Sequence, residues 1–299
     1  MQLRGWSRVA YGLFTAILLM GLLVTSRVWS TEYDYMAGYT GAEAELTGSA
    51  TCVMCHQDRI PENLLSHIAL LDDNPDCEMY GYGCEGCHGP GGEHNGNPAG
   101  ILNLPMMPID DLTMQCSMCH DSLGDYDMDN YRMSDHFYMD ISCLECHGGH
   151  SDNEGFLTEA DELDLCYNCH AEKRAEFSMR SHHPIENDGN CRMCHNPHSG
   201  EFESQLIEDR DELCFSCHPD KEGPFVYDHD VSMDSAGDGC LTCHVSHGTN
   251  YDNLLTLPSR LCQQCHTEIG PDVHYAGTCW SSGCHTEIHG SNSHPLYFY

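Results

Sequence analysis

The stretch 166–198 reads CYNCHAEKRAEFSMRSHHPIENDGNCRMCHNPH. It holds two runs of the form Cys-x-x-Cys-His, Cys166–His170 and Cys191–His195, and three further histidines, His182, His183 and His198. In such a run the two thiols add to the two vinyl groups of one haem, and the adjacent histidine then lies against the iron. The run is the attachment signature of a c-type haem, so this stretch predicts two covalently bound haems.

The same run recurs along the chain of 299 residues. Nine segments have the form Cys-x-x-Cys-His, and in a tenth, Cys279–His285, four residues separate the cysteines. The predicted haem-attaching cysteines are Cys52, Cys55, Cys84, Cys87, Cys116, Cys119, Cys143, Cys146, Cys166, Cys169, Cys191, Cys194, Cys214, Cys217, Cys240, Cys243, Cys262, Cys265, Cys279 and Cys284. The predicted proximal iron ligands are His56, His88, His120, His147, His170, His195, His218, His244, His266 and His285. These runs use 20 of the 21 cysteines, leave out Cys77 and predict ten covalently bound haem c groups.

Zinc sites and disulfides are the alternatives for so many cysteines. Paired cysteines bind structural zinc, and cysteine-rich exported chains form disulfides by default. Histidine makes up 22 of the 299 residues, so its presence directly after all ten cysteine pairs is not a chance result. Haem attachment requires a histidine at that position and zinc binding does not, so the pattern favours haem.

The first 30 residues have the features of a secretory signal peptide. Arg4 and Arg8 precede the apolar stretch Gly12–Val24, and a small residue, Ser30, stands at the expected cleavage site. The apolar stretch has 13 residues, fewer than the roughly 20 of a membrane-spanning helix, although an uncleaved anchor is the alternative. We therefore expect residues 31–299 to form a mature decahaem cytochrome c domain in the periplasm.

The composition excludes several classes of protein. There are 47 acidic and 12 basic side chains, for a formal charge of −35, which excludes nucleic-acid binding as a main role because phosphate contacts need a basic surface. Leu, Ile, Val and Phe together are about 18% of the residues, a fraction typical of chains that stay disordered. We expect the porphyrins to replace the missing aliphatic core, and the haem-free chain not to fold.

Twelve histidines remain outside the ten runs, and ten of them recur in register. The chain divides into five two-haem repeats, repeats one to five, which begin near residues 52, 116, 166, 214 and 262. Each repeat has a first run, a middle histidine, a second run and an end histidine. The middle histidines are His67, His136, His183, His229 and His274, and the end histidines are His94, His150, His198, His247 and His289. His182 and His294 are left over.

This register favours the ten middle and end histidines as the second axial ligands of the irons. His150, His198 and His247 lie three residues after a proximal histidine and cannot reach the opposite face of the same haem. Each is expected to ligate another haem, in its own repeat or in an adjacent one. Methionine, with 15 residues, is the alternative ligand for one or two irons. Two axial imidazoles leave no open position on the iron, which predicts electron transfer and no enzymatic activity.

These features predict a multihaem cytochrome c fold, mainly coil, with short α-helices, little or no sheet and an elongated haem-packed core. Short helices are expected to run through or just before the runs, around Pro61–Leu71, Thr158–Lys173 and Glu203–Leu213, because an acidic residue followed by Leu-Cys-x-x-Cys-His fits a helical turn that carries the attachment site. Gly89–Leu104 and Ser281–Pro295 are expected to be loops, because they are rich in glycine, asparagine, serine and proline.

Several segments resemble the DmsE/MtrA/PioA family of periplasmic decahaem c-type cytochromes. They are Cys84–His94, His182–Pro184, Cys191–His198, Gly223–Phe225, Cys240–Gly248 and Ile288–Asn292. The resemblance covers about residues 50–299, although the tenth run departs from the family's usual Cys-x-x-Cys-His. It implies a periplasmic electron carrier, associated with the outer membrane, that inserts into a β-barrel porin. Electrons would pass between periplasmic cytochromes and an extracellular cytochrome or acceptor.

Two other functions stand as alternatives. A subunit of an extracellular cytochrome filament would self-assemble, with His182 or His294 as ligands between subunits. A multihaem oxyanion reductase would need one open iron, and usually carries a Cys-x-x-Cys-Lys run that this sequence lacks. The acidic charge has two interpretations of equal weight, which are solubility and the steering of basic partner cytochromes.

Overall fold

The computed structural model describes most of the chain from residue 46 onwards. The described residues are 46–73, 81–92, 94, 97, 100–120, 128–185, 190–231, 238–268, 279–280 and 284–298. The predicted signal peptide at 1–30, Cys77 and His274 lie outside them. Within the described residues, no helix is both long enough and apolar enough to cross a membrane.

Short α-helices supply most of the regular structure of the described residues. They are Ser49–His56 (α1), Glu62–Asp73 (α2), Glu85–His88 (α3), Ile109–His120 (α4), Met128–Arg132 (α5), Asp135–Tyr138 (α6), Cys143–Cys146 (α7), Glu162–Tyr167 (α8), Ala171–Phe177 (α9) and Arg210–Cys217 (α10). Three further runs begin in 3-10 turns, at Cys191–Met193, Gly239–Thr242 and Cys262–Gln264. A helical turn suits the run because residues three apart share one face, so both cysteines point toward the same haem.

The mainly coil fold with short helices is confirmed, and so is the helix predicted over Pro61–Leu71, which is α2. The helix predicted over Thr158–Lys173 is instead two helices, α8 and α9. His170 separates them with backbone angles of φ −101° and ψ 49°, which are not helical. The break occurs at the proximal histidine, whose ring position therefore does not depend on a continuous helix.

The helix predicted over Glu203–Leu213 is wrong in its first half. Glu203–Gln205 is a 3-10 turn in which Ser204 has a left-handed φ of 58°, and α10 begins only at Arg210. Periodicity alone did not reveal this turn, because a left-handed residue interrupts the backbone without changing the spacing of the apolar side chains.

Sheet is minimal, as predicted, and in the described residues it consists of two antiparallel pairs. β1 (Ser181–His182) pairs with β3 (Gly248–Thr249), and β2 (Tyr227–Asp228) pairs with β4 (Gly290–Ser291). Each pair joins the residues just before a middle histidine to the residues just after the end histidine of the following repeat. The strands therefore link successive repeats.

The chain forms two compact units. The first comprises the described residues of Met1–Cys55 and Tyr82–Asn103, and the second those of His56–Gly81 and Leu104–Tyr299. The buried apolar side chains of the second unit, among the described residues, are Leu112, Met128, Tyr131, Phe177, Ile185, Leu255 and Leu261. So small a set agrees with a core made mainly of cofactor.

The first compact unit is organised around a buried carboxylate. Glu85, which lies inside the second Cys-x-x-Cys-His run, is 1% exposed. Its oxygens accept hydrogen bonds from the backbone N–H groups of Thr47, Gly48 and Gly91 at 2.7–2.9 Å. These bonds satisfy the buried charge and tie the segment that precedes α1 to the run in α3.

Candidate haem-binding sites

The first cysteines of the two runs in a repeat lie side by side. In repeats two, three and four, one first cysteine donates a hydrogen bond to the other, and this bond lowers the pKa of the accepting thiol to about 7. The donor and acceptor are Cys116 and Cys143 in repeat two, Cys166 and Cys191 in repeat three, and Cys240 and Cys214 in repeat four. In repeat five, burial and the neighbouring Cys279 raise the pKa of Cys262 to about 11. The cysteines predicted to attach the two haems of a repeat are therefore neighbours.

The second cysteines connect one repeat to the next. In each of the following pairs, the last cysteine of one repeat interacts electrostatically with the second cysteine of the next repeat's first run. The pairs are Cys146–Cys169, Cys194–Cys217 and Cys243–Cys265. Contacts within repeats and contacts between repeats alternate without a break. The attachment points of the second compact unit thus follow chain order from Cys116 to Cys279.

Seven pairs of imidazole rings in the second compact unit share nearly one spacing. Their ring centroids are 5.9–6.4 Å apart, with interplanar angles of 13–50°. The pairs are His67–His120, His136–His170, His147–His198, His183–His218, His195–His247, His229–His266 and His244–His289. Every pair joins the histidine of a run to a middle or an end histidine.

This spacing fits one iron between the two rings. A metal–imidazole bond is about 2 Å long, so two imidazoles that ligate one metal from opposite faces have centroids about 6 Å apart. The other ring pairs of the described residues lie closer together, with centroids from 4.7 Å apart for His294–Phe298 to 5.8 Å apart for Tyr131–Phe137. The seven histidine pairs are therefore suited to hold haem iron between two imidazoles.

The pairing obeys one rule, which crosses the boundaries between repeats. A middle histidine faces the first run of the following repeat, as His183 of repeat three faces His218 of repeat four. An end histidine faces the second run of the preceding repeat, as His247 of repeat four faces His195 of repeat three. All seven pairs follow this rule, so repeats two, three and four each depend on both of their neighbours.

The hydrogen bonds and the burial of these rings suit metal binding. Backbone carbonyl oxygens lie 2.6–3.1 Å from Nδ1 of His88, His94, His147, His150, His183, His195, His244 and His285. Such a partner fixes the ring and leaves Nε2 for the metal. Burial lowers the pKa of His67, His120, His136, His247 and His289, and lowers that of His198 to about 4. The rings are thereby kept neutral, which is the form that binds metal.

A backbone clasp holds successive repeats together at these histidines. Nδ1 of His183 donates to the carbonyl oxygen of Ser246, the residue directly before the next repeat's end histidine, at 2.6 Å. The pairing of β1 with β3 flanks this bond. In the same way, Nδ1 of His136 lies 3.5 Å from the carbonyl oxygen of Pro197, the residue directly before the end histidine His198. We call this arrangement the inter-repeat clasp, and it places one middle and one end histidine together, each facing the other's repeat.

A left-handed turn orients the proximal histidine of three second runs. In repeat three, Ser204 has a φ of 58°, its carbonyl oxygen accepts from Nδ1 of His195 at 2.9 Å, and Leu206 forms a β-bridge with His195. The equivalent residues are Gly155 and Leu157 at His147, and Asn253 and Leu255 at His244. The sequence signal for this turn is a leucine ten or eleven residues after the histidine, which the spacing of the runs does not reveal.

The remaining histidines have different positions. His274 lies outside the described residues. Nδ1 of His182 faces the carbonyl oxygen of Met179 at 2.6 Å, as Nδ1 of several ring-paired histidines faces a carbonyl. His294 differs from them, because its Nδ1 accepts from the backbone N–H of Leu296 at 3.1 Å while its ring lies against a phenylalanine.

Three segments of the chain match the protein family described as doubled CXXCH motif, at residues 137–175, 182–223 and 234–270. Each segment contains the second run of one repeat and the first run of the next. The family's doubled motif therefore spans the junctions between repeats, where the second cysteines meet.

Two characterised cytochromes are similar in sequence. The chain is 29% identical to the multihaem cytochrome MtrA of Shewanella baltica in an alignment 182 residues long that covers 56% of this chain and 54% of that protein. It is 28% identical to the c-type polyhaem cytochrome OmcC of Geobacter sulfurreducens over 145 residues, which are 48% of this chain and 16% of that protein. The matched region thus spans about half of the first relative and less of the second. These similarities agree with the runs in indicating covalently bound haem c.

Proposed function

We propose that this chain, which is similar to the multihaem cytochrome MtrA, is a multihaem c-type cytochrome that transfers electrons along ten covalently bound haems. The observation that carries this proposal is the set of seven histidine pairs at 5.9–6.4 Å. Haem iron held in this way supplies one-electron chemistry between its ferric and ferrous states. The alternating cysteine contacts from Cys116 to Cys279 support a path from each haem to the next.

The proposed haem-holding residues are the ten cysteine pairs and the twenty histidines predicted from the sequence. The run histidines bind one face of each iron, and the middle and end histidines bind the other. Seven of the assignments of middle and end histidines are supported by one of the imidazole pairs described above. We propose the same ligand role for His94, His150 and His274, which fill corresponding positions in the repeats.

The double ligation supports electron transfer over catalysis. Two imidazoles per iron leave no position for a substrate, so the residues stabilise both oxidation states without a bond being made or broken. The protein's contribution is then to hold the rings, shield them from water and set the potential of each haem through charge and hydrogen bonds.

We further propose that the cytochrome resides in the periplasm and connects to the outer membrane through a β-barrel porin. Similarity to MtrA supports this placement, as does the family resemblance of the segments around the runs. A membrane with its headgroups is about 40–45 Å thick, and a chain with this charge could not lie bare in lipid. Other cytochromes, on one or both sides of the membrane, would be its electron-transfer partners.

The mass and spin state of the purified protein test the cofactor assignment. The intact mature chain should carry the mass of ten haems, and the ferric protein should give low-spin resonances without a high-spin majority in electron paramagnetic resonance. A smaller haem mass, or a high-spin majority, would contradict ten haems with two imidazoles each.

Copurification tests the conduit. The protein expressed in its native host should copurify with a β-barrel protein, and liposomes that contain the pair should pass electrons to an enclosed acceptor. Liposomes with the barrel alone are the control. Recovery without a barrel, but as fibres in electron microscopy, would favour the cytochrome filament instead.

A further inference from the structure

One axial histidine has a carboxylate at its outer nitrogen. Nδ1 of His247 lies 3.0 Å from Oε2 of Glu176, 71 residues earlier in the chain. The corresponding bonds described above for eight other haem-site histidines go to backbone carbonyl oxygens. A carboxylate is a stronger acceptor and carries a full negative charge, so His247 differs in kind from those rings.

The carboxylate is held in place from two sides. Nζ of Lys173, one turn earlier in α9, lies 3.0 Å from the other oxygen of Glu176. The side chains of Glu176 and His247 are 25% and 24% exposed, so water screens their interaction only in part. The ring of Phe177, which is buried, lies 5.3 Å from the ring of His247 and covers it.

The backbone is shaped to bring the two residues together. Gly248 follows His247 in β3, and a Cβ at Gly248 would lie 1.9 Å from the carbonyl oxygen of Glu176. Only a glycine permits this approach of β3 to the end of α9. In the next repeat Pro224 stands where Glu176 stands here, six residues after the first run's histidine, so the arrangement is not a general property of the repeat.

We propose that Glu176 is a positioning residue that lowers the reduction potential of the haem attached at Cys191 and Cys194. This inference rests on the proposed function, in which His195 and His247 ligate that iron. A carboxylate at Nδ1 makes the imidazole a stronger donor and places negative charge near the iron. Both effects favour the ferric ion, which carries one more positive charge than the ferrous ion. One electron enters and leaves this iron without a proton. The carboxylate makes reduction of this iron less favourable, so the reduction potential is lower.

Glu176→Gln in the full haem-loaded chain tests this role. The amide keeps the size of the side chain and removes its charge. A redox titration followed by optical and paramagnetic resonance spectra should show one one-electron component shifted to higher potential. Lys173→Gln should shift the same component to lower potential, because it removes the neighbouring cation. If Glu176→Gln fails to load haem, the shift of the same component in Lys173→Gln still tests the proposal.

Two further variants identify the component and match the charge change. His247→Met marks the haem, because methionine ligation raises a haem's potential. Glu172→Gln is the control on the same helix, since its carboxylate is 63% exposed and lies 4.0 Å from Nδ1 of His170, too far for a hydrogen bond. It should leave the marked component where it is.

The outcomes separate the two levels of inference. An unshifted marked component in Glu176→Gln, or an equal shift in Glu172→Gln, would overturn the role of Glu176 and leave the ligation intact. Unchanged spectra and potentials in His247→Met would overturn the ligation itself. Opposite shifts in Glu176→Gln and Lys173→Gln, confined to the marked component, would support the proposal.

Discussion

His183 donates a hydrogen bond through Nδ1 to the carbonyl oxygen of Ser246, 63 residues further along the chain, at 2.6 Å. The ring belongs to repeat three but faces the first run of repeat four, and the residue after Ser246 faces a run of repeat three. One short contact therefore orients the proposed ligands of two haems in different repeats. Loss of either haem site is expected to disturb the other, so the repeats cannot be treated as separable domains.

His183→Ala is expected to leave the haem at Cys214 and Cys217 with one imidazole. A high-spin ferric signal should appear, with an intensity that corresponds to about one of the ten irons, because the side chain that faces His218 is gone. Electron paramagnetic resonance of the purified ferric protein measures it.

His294→Ala is the matched control, since Nδ1 of His294 accepts a backbone hydrogen bond and its ring lies against Phe298. It should keep the low-spin spectrum. A high-spin signal from this variant, with none from His183→Ala, would reverse the assignment.

Gly248→Ala should destabilise the protein by about 1–3 kcal/mol, the usual cost of forcing an extra group into a packed site. The new Cβ would meet the carbonyl oxygen of Glu176 at 1.9 Å and separate α9 from β3. Thermal or denaturant unfolding followed by the haem absorbance measures the change. Gly149→Ala supplies the comparison, because nothing lies within 4 Å of its added Cβ. Equal stability of the two variants would contradict the close approach.

Ser204→Val should cost about 1 kcal/mol, because valine is branched at Cβ and fits the left-handed region less well than serine does. Ser204→Gly should be close to neutral, since glycine adopts this conformation readily. The free energy of unfolding distinguishes them. The turn is absent if valine is tolerated as well as glycine.

Glu85→Gln should destabilise the first compact unit by about 1–3 kcal/mol, because an amide cannot accept from three backbone N–H groups as the buried carboxylate does. Protease cleavage near residues 46–55 should become faster. Glu145→Gln provides the reference, since that glutamate lies inside another run but is exposed. Similar cleavage rates for the two variants would show that the bonds to Glu85 contribute little.

The formal charge of −35 predicts how partner encounter depends on salt. Electron transfer to a basic cytochrome should slow as ionic strength rises, because screening weakens the attraction. Electron transfer to an acidic cytochrome should not slow. Stopped-flow rates at several salt concentrations measure the difference. Rates to the basic partner that do not depend on salt would favour solubility as the role of the charge.

The local chemistry of the chain was predictable from its sequence. Two thiols and a histidine lie within a few residues of each other in every run, so attachment of haem c needs no information from distant segments. The excess of histidine in register and the shortage of aliphatic side chains pointed to double ligation and to a coil-rich fold. The left-handed turn at Ser204 could not be predicted in the same way, because it interrupts a helical pattern without altering it.

The sequence by itself therefore indicated that the chain carries c-type haems, and it predicted at which cysteines they attach and which histidines are available as second ligands. Only the tertiary structure decided which histidine faces which run. His247 is three residues from its own proximal histidine, yet it faces His195 of the preceding repeat. The reason is that an axial site is completed from the opposite face of the porphyrin, and the inter-repeat clasp selects the segment that reaches that face. The carboxylate of Glu176 at Nδ1 of His247 follows from the same packing.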